Sequence, residues 1–455
     1  MLIRNADVWR RGTADVRLRG GTIAEVGSLG SLAGEVEIDA AGGALLPGLH
    51  DHHIHLAALA AARRSVDCGP PAVQTPDELA AALRRPGTDW LRGIGYHESV
   101  AGMLDKRQLD RWVPDRPVRI QHRSGRMWFL NSMALDLLPL GPAGIPAGVD
   151  HATGQLLDAD EWLRKAVRSA LPDLAEVGTE LAALGITGVT DMSVSNDPAI
   201  ATFLAGEQAR GALPLHVLLA GTLGLADAAF TARLRLGPVK LHLHDHDLPD
   251  FDEAVAFLRS GHDQGRPAAV HCTTEAELVF ALAALEAAGP AAGDRIEHAG
   301  IAPDHLVAEI RRLAIQVVSQ PHFIAQRGDH YLSAVEPRDH DALYRLAAFS
   351  RAGVVLAAGS DAPYGTFDPW FAMRAAASRQ TPSGQVVGAA EALDPEEALA
   401  LYLSDPAELW IERRIAPGAH ADLCLLDRPW AEARERLLAQ DVHLTIAAGS
   451  VVFDR

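Results

Sequence analysis

Two rhythms of apolar and polar positions divide the chain. Over residues 1 to about 46, short segments such as LIRNADVW, ADVRLRG and TIAEVGS alternate apolar and polar residues, with Gly20-Gly21 as a turn, and predict a small antiparallel sheet. From Leu45 onward, apolar strand-like runs alternate with Ala/Leu-rich stretches of helical period. The runs are GITGVTDM (185–192), LHVLLA (215–220), PVKLHLH (238–244), RPAAVHC (266–272), DRIEHA (294–299), IQVVSQ (315–320) and GVVLAAGSD (353–361). The run ending at His55 makes eight, and helices are predicted over 252–259, 275–288 and 304–313.

Eight buried strands separated by helices predict an α/β fold with a closed parallel (β/α)8 TIM-type barrel over residues 47–410; an open doubly wound sheet is the alternative. The barrel is favoured because His, Lys and Asp residues fall at the C-terminal ends of several runs, the face where such barrels carry their sites. About 130 residues separate His55 from the run at Thr187, which implies an insertion after barrel strand 1, spanning about 68–170. Its Gly/Pro-rich loop GPAGIPAGVDHATGQLLD suits a lid or a substrate-shaping element. After the last helices the text returns to strands (PGAHADLCLLD, DVHLTIAAGSVVFD). Residues 1–46 and 411–455 are therefore expected to build one composite β-sandwich domain from both chain ends.

Composition narrows the partners. Forty-one Lys+Arg against 59 Asp+Glu give a net charge of −18, which argues against nucleic acid and against a membrane surface held by charge. Three dispersed cysteines, Cys68, Cys272 and Cys424, form no CxxC pair, so neither a disulfide framework nor a thiolate zinc site is expected. With no apolar run long enough to span a bilayer and charges throughout the first residues, a cytoplasmic protein acting on a small molecule is expected. A homodimer stands as a candidate assembly.

The candidate chemistry lies in the histidines, of which there are twenty. In LLPGLHDHHIHL, His53 and His55 are two apart at a strand end and share a side, so two imidazoles meet one divalent metal. Lys240, His271, His298 and Asp361 close later runs and converge on the same mouth. Neutral imidazoles suit Zn²⁺, and the Asp361 carboxylate both ligates and accepts a proton. Lys240 is either a charge partner or acid, or an N-carboxylated lysine whose carbamate oxygens bridge two metals. A GxSxG nucleophile elbow is missing around Ser360, so a serine hydrolase is excluded.

The set PGLHDHHIHL, VK at Lys240, VHC at His271, RIEH at His298, SQPHF at His322 and GSDAPYGTFDP around Asp361 resembles the amidohydrolase superfamily, in the branch typified by N-substituted formamide deformylases (amidohydrolase family 3). RPVRIQHRSGRMWFLNSMAL with GQLLD resembles that branch's insertion, and IAPGAHADLCLLD the entry to its C-terminal β-domain. The resemblance implies two Zn²⁺ ions bridged by carboxylated Lys240, with His53 and His55 on one and His271 and His298 on the other, a mononuclear site being the alternative. It further implies Asp361 as ligand and general base, and a metal-held hydroxide attacking the C–N carbon of a small amide or formamide.

The chain departs from the family at Gly125-Arg126, where Arg126 suggests a substrate carboxylate or else a surface salt bridge, and in KLHLHDHD. His242 and His244 share the strand face of Lys240 and are substrate-contact candidates. So are Tyr96, His97, Arg123 and Trp128 from the insertion, against a packing role, while His322 is a catalytic or oxyanion candidate. His50, His52 and His246 are assigned to loops and outer hydrogen bonds. The alternatives to amide hydrolysis are deamination of a heterocycle, a decarboxylase-type use of the metal centre, and an inactive binding scaffold.

Overall fold

The computed structural model describes residues 1–139, 147–167 and 171–455. Part of the Gly/Pro-rich loop, 140–146, and residues 168–170 at the end of the expected insertion lie outside the described residues. The chain forms two compact units, one of Met1–Leu56 with Asp173–Arg455, the other of Ala57–Pro172.

In the larger unit eight parallel strands follow one another in chain order around a barrel. They are β1 (Leu49–Ile54), β2 (Ile186–Asp191), β3 (His216–Gly221), β4 (Leu234–His242), β5 (Ala268–Cys272), β6 (Arg295–His298), β7 (Gln316–Ser319) and β8 (Leu356–Ala358). Each coincides with a predicted run. β4 starts earlier than predicted, because Gly237-Pro238 reads as a break although the strand runs through it. The barrel closes where β1 meets the chain just beyond β8: Asp361 N–H donates to His53 O (2.7 Å) and His55 N–H to Ala362 O (2.9 Å). At that seam Gly359 is required, since a Cβ there would lie 2.3 Å from the His53 amide nitrogen.

Helices on the outside, among them Phe251–Asp263, Glu275–Ala288 and Asp304–Arg312, bury Leu258, Leu278, Leu282, Leu285 and Ile310 against Val239, Val270, Ile296 and Val317 of the strands. Each such side chain contributes about 1.5–3 kcal/mol by leaving water. Thr274 caps its helix in a reciprocal box with Glu277. The same Glu277 carboxylate accepts from Asp245 N–H (3.0 Å) and Thr273 N–H (2.6 Å), so a helix cap also pins the loops leaving β4 and β5.

The chain ends form the expected β-domain, as one hydrogen-bonded path of strands. Ser450–Asp454, Val442–Ala447 and Leu423–Leu426 from the C-terminus continue into Ala44–Pro47, Leu2–Val8, Gly12–Arg19 and Thr22–Gly27 from the N-terminus. Ile3, Val16, Ile23, Leu423, Leu444 and Ile446 fill its core, which joins residues more than 400 positions apart.

Among the described residues, the smaller unit contains its own six-stranded sheet, from Val66–Asp67 through Leu91–Tyr96, Val118–His122 and Met127–Leu130 to Gln155–Leu157 and Val149–Asp150. Separate apolar clusters around Ile120 and Phe129 and around Leu130 and Leu156 give it two faces to bury.

Candidate metal centre

The ends of β1, β4, β5 and β6 and the turn after β8 bring six predicted side chains toward one point. His53 Nε2 and His55 Nε2 both face Asp361 Oδ1, at 3.4 and 3.1 Å. One ligand atom from each of the three lies within 4.8 Å of the others. His298 packs its ring 4.9 Å from that of His53, and His271 follows 4.5 Å from His298. Lys240 is 3% exposed in the strand between. His298 and Asp361 adopt left-handed backbone, φ 74° and 53°, a conformation that costs β-region residues energy and tends to be held at functional sites.

Several of these groups are set up as ligands by neighbours that sequence reading did not single out. His53 donates Nδ1–H to Glu297 (2.5 Å), which leaves Nε2 as the ligand atom, and Glu297 is in turn held by Arg295 Nε–H (2.5 Å). Burial works against ionising Glu297, yet Arg295, His53 and Lys240 together hold its carboxyl far below the usual range. His298 donates Nδ1–H to Gln320 Oε1 (2.7 Å), and among the described residues its buried Nε2 has no hydrogen-bond partner. Asp51, pushed up to about 6 by burial, accepts from the His53 and Ser360 amides and so fastens β1 to the closing turn. The charged residues inside the apolar run RIEH were the available signal for Glu297 and Arg295.

The electrostatics favour ligand forms. Burial pulls His298 down to about 3 and His271 well below its ordinary value, so both imidazoles are neutral. Burial opposes ionisation of Asp361, but hydrogen bonds from His53 and His55 outweigh it and keep the carboxyl ionised. The Lys240 amine is pulled down to about 8 by burial and, among the described residues, has no hydrogen-bond partner. Burial lowers His53, but Glu297 and Asp361 outweigh it and raise it above its ordinary value, so it shares a proton with Asp361 that a bound cation would displace. Two neutral imidazoles, one carboxylate and buried nitrogens without partners fit a divalent cation at this point.

The other predicted residues separate into two groups. His242 and His244 are exposed, stacked 4.4 Å apart, with His242 4.1 Å from His271. His322 is fully buried and donates Nε2–H to Ser360 O (3.0 Å), which makes it a brace of the turn carrying Asp361 rather than a group open to substrate. Within the smaller unit Arg126 is already engaged: its Nε and Nη2 grip Asp158 at 2.7 and 2.6 Å on an exposed face, the surface salt bridge rather than a free carboxylate receptor. Tyr96 is buried and donates its hydroxyl to Gly102 O (2.6 Å). Trp128 lies in an apolar core, flanked by the guanidinium groups of Arg92 and Arg119. His97 caps a short helix through Ser99 and stacks on His122. These contacts give Tyr96, Trp128 and His97 structural roles inside their own unit.

A parallel barrel that gathers imidazoles, a carboxylate and a buried lysine at its strand ends is the architecture of a metal-dependent hydrolase. The amidohydrolase family matches residues 36–453. The chain is 27% identical to the N-substituted formamide deformylase of Arthrobacter pascens, over 94% of this chain and 92% of that one. It is 24% identical to the putative amidohydrolase YtcJ of Bacillus subtilis (strain 168), over 92% and 90%. Among solved structures, an uncharacterized metal-dependent hydrolase from Pyrococcus horikoshii OT3 superposes with a TM-score of 0.80 at 22% identity, over 94% of this chain and 97% of that one. The chain belongs to the amidohydrolase family and is a metal-dependent hydrolase acting on carbon–nitrogen bonds other than peptide bonds.

Proposed function

We propose that the substrate is a small amide or formamide and that Lys240 serves as an N-carboxylated bridge between two divalent metals, zinc in the first instance. The observation that carries the bridge is the buried Lys240 amine with no hydrogen-bond partner among the described residues, drawn down to about 8. Such an amine has a neutral fraction near neutral pH; it adds to CO2, forms the N–C bond and loses a proton, replacing an unpaired buried nitrogen by a carboxylate. The substrate class is supported by the name of the Arthrobacter pascens relative. Bound metals supply Lewis acidity and lower the pKa of water.

The chain's own residues do the rest. Water adds to the carbonyl carbon while the Asp361 carboxylate takes its proton; the C–N bond then breaks, and Asp361 delivers that proton to the leaving nitrogen, giving an amine and a carboxylic acid whose proton passes to the amine or to solvent. His53 and His298 are held in their ligand tautomers by Glu297 and Gln320 throughout. We assign substrate contact to His242 and His244, supported by their exposure beside His271.

The test combines metal analysis and intact mass under non-denaturing conditions with a panel of N-substituted formamides, acetamides and cyclic imines, formate and ammonia being measured separately. The expected result is two metals per chain, an adduct of one CO2 that disappears in Lys240→Ala, and formate release. Ammonia without formate would replace this reading by deamination, and one metal without the adduct would remove the bridge.

A further inference from the structure

A second polar site lies at the opposite end of the barrel. A cavity of about 220 Å³ opens among the starts of β1 to β4 and the segment 405–422. Arg235, at the base of β4, is five residues before Lys240, or roughly 16 Å along the strand, so this cavity is separate from the metal centre.

Its charge is unusual for a chain of net −18. Four arginines, Arg233, Arg235, Arg413 and Arg414, border the cavity against two aspartates, Asp405 and Asp422. Both carboxylates are occupied. Asp405 caps the amides of Ala407 and Glu408, and Asp422 accepts from His216 Nε2–H (3.2 Å) and Ala448 N–H (2.7 Å). Arg413 is half-buried and anchored by Nε to Ser404 O (3.2 Å) and by Nη2 to Tyr402 O (3.0 Å), which leaves Nη1 without a hydrogen-bond partner among the described residues. Arg235 and Arg414 likewise have no ion pair among the described residues. Asp422 and Asp405 answer part of the Arg413 charge, but four guanidinium groups against two carboxylates leave an excess of like charge that is costly unless an anion or water answers it.

The remaining lining combines an apolar part, with Pro47, Val217, Leu218 and Ala419, and the side chains of His50, Thr187, His216 and His420. A bare inorganic anion makes no use of the apolar part, whereas a carboxylate on a small apolar body matches both it and the arginines, and guanidinium groups pair with carboxylates in a planar, two-bond geometry. The volume lies below the roughly 300–1,000 Å³ of drug-sized pockets, which limits the ligand to about the size of an aromatic monocarboxylate. We propose that this basal cavity is a binding site for a small apolar monocarboxylate, recognised by Arg413, Arg235 and Arg414 and independent of the metal centre.

The test uses the metal-loaded full chain with 4-bromobenzoate as probe. Calorimetric titration is run on the wild type, on Arg413→Gln and on the rim variant Arg235→Gln/Arg414→Gln, with 4-bromobenzamide and inorganic phosphate as comparison ligands. The rim variant removes only exposed groups, so it reports even if Arg413→Gln fails to fold. The proposal expects one site, weakened by about tenfold or more in each variant, and little binding of the amide. In a crystal soaked with the probe, the bromine anomalous peak is expected beside Val217 and Leu218. Affinity untouched by the arginine variants, equal binding of the amide, phosphate preferred over the carboxylate, no binding, or a bromine peak only at the strand-end mouth would each overturn it.

Discussion

The two ends of the barrel are both lined by ionisable side chains, yet they organise them in opposite ways. At the C-terminal ends, His53, His55 and Asp361 point at one another, Glu297 and Asp51 hold His53 and the closing turn, and Gln320 holds His298, so the polar groups form a converging set. At the N-terminal ends, the arginines stand around an open cavity, and the nearby aspartates are spent on His216 and on backbone amides. Convergence suits a small, borderline cation such as Zn²⁺ that needs several donors at once. Separation around a cavity suits an organic anion that brings its own body.

The comparison breaks first at Asp361. Asp361→Asn keeps a ligand oxygen and removes the proton acceptor, so kcat should fall by about 10²–10⁴ while metal content measured by atomic absorption changes little. Unchanged turnover would take Asp361 out of proton transfer. Glu297→Gln tests whether the converging set depends on its outer support. Losing the carboxylate that fixes the His53 tautomer should weaken metal retention by about 10- to 100-fold in chelator competition. Arg295 would lose its buried partner in the same variant, so a melting curve is run alongside.

The contrast also explains what could be read from the sequence. His53, His55, Lys240, His271, His298 and Asp361 sit on or just beyond strands, where the period-two pleat and a common strand direction turn a sequence position into a place in space. Glu297 and Gln320 lie inside quoted motifs yet went unremarked, because a residue that orients another has no spacing of its own. Arg126 stayed open between a substrate carboxylate and a surface salt bridge for a related reason: its partner Asp158 is 32 positions away and pairs only after the small sheet forms. The basal cavity was invisible, since Pro47, His216, Arg235, Arg413 and Asp422 share no motif and meet only when both chain ends close on the barrel.

A smaller effect sharpens the mouth. Gly359→Ala would place a methyl 2.3 Å from the His53 amide and 2.5 Å from its Cβ, so β1 must shift at the closing seam. Chemical denaturation should show a loss of about 1–3 kcal/mol. If the ligands are held chiefly by that seam, metal retention falls with it. Equal stability and retention in the variant would mean that the seam yields freely and that Asp51 and Glu297 alone set the geometry.

The smallest effect concerns the base and its pH dependence. Burial resists ionisation of Asp422, but the hydrogen bonds from His216 and Ala448 and the charge of Arg413 hold its carboxyl below the ordinary aspartate value. A carboxyl lowered on folding contributes stability that is complete above its unfolded value near ~4 and disappears as pH falls through the lower folded value. Asp422→Asn removes that contribution, so its melting temperature should lie below the wild type's at neutral pH, and the gap should narrow as the pH drops below ~4. A gap that stays constant down the acid limb would mean that Asp422 matters through its hydrogen-bond geometry and not through its charge. In that case the excess positive charge at the base would be larger in effect than the arginine and aspartate positions alone imply.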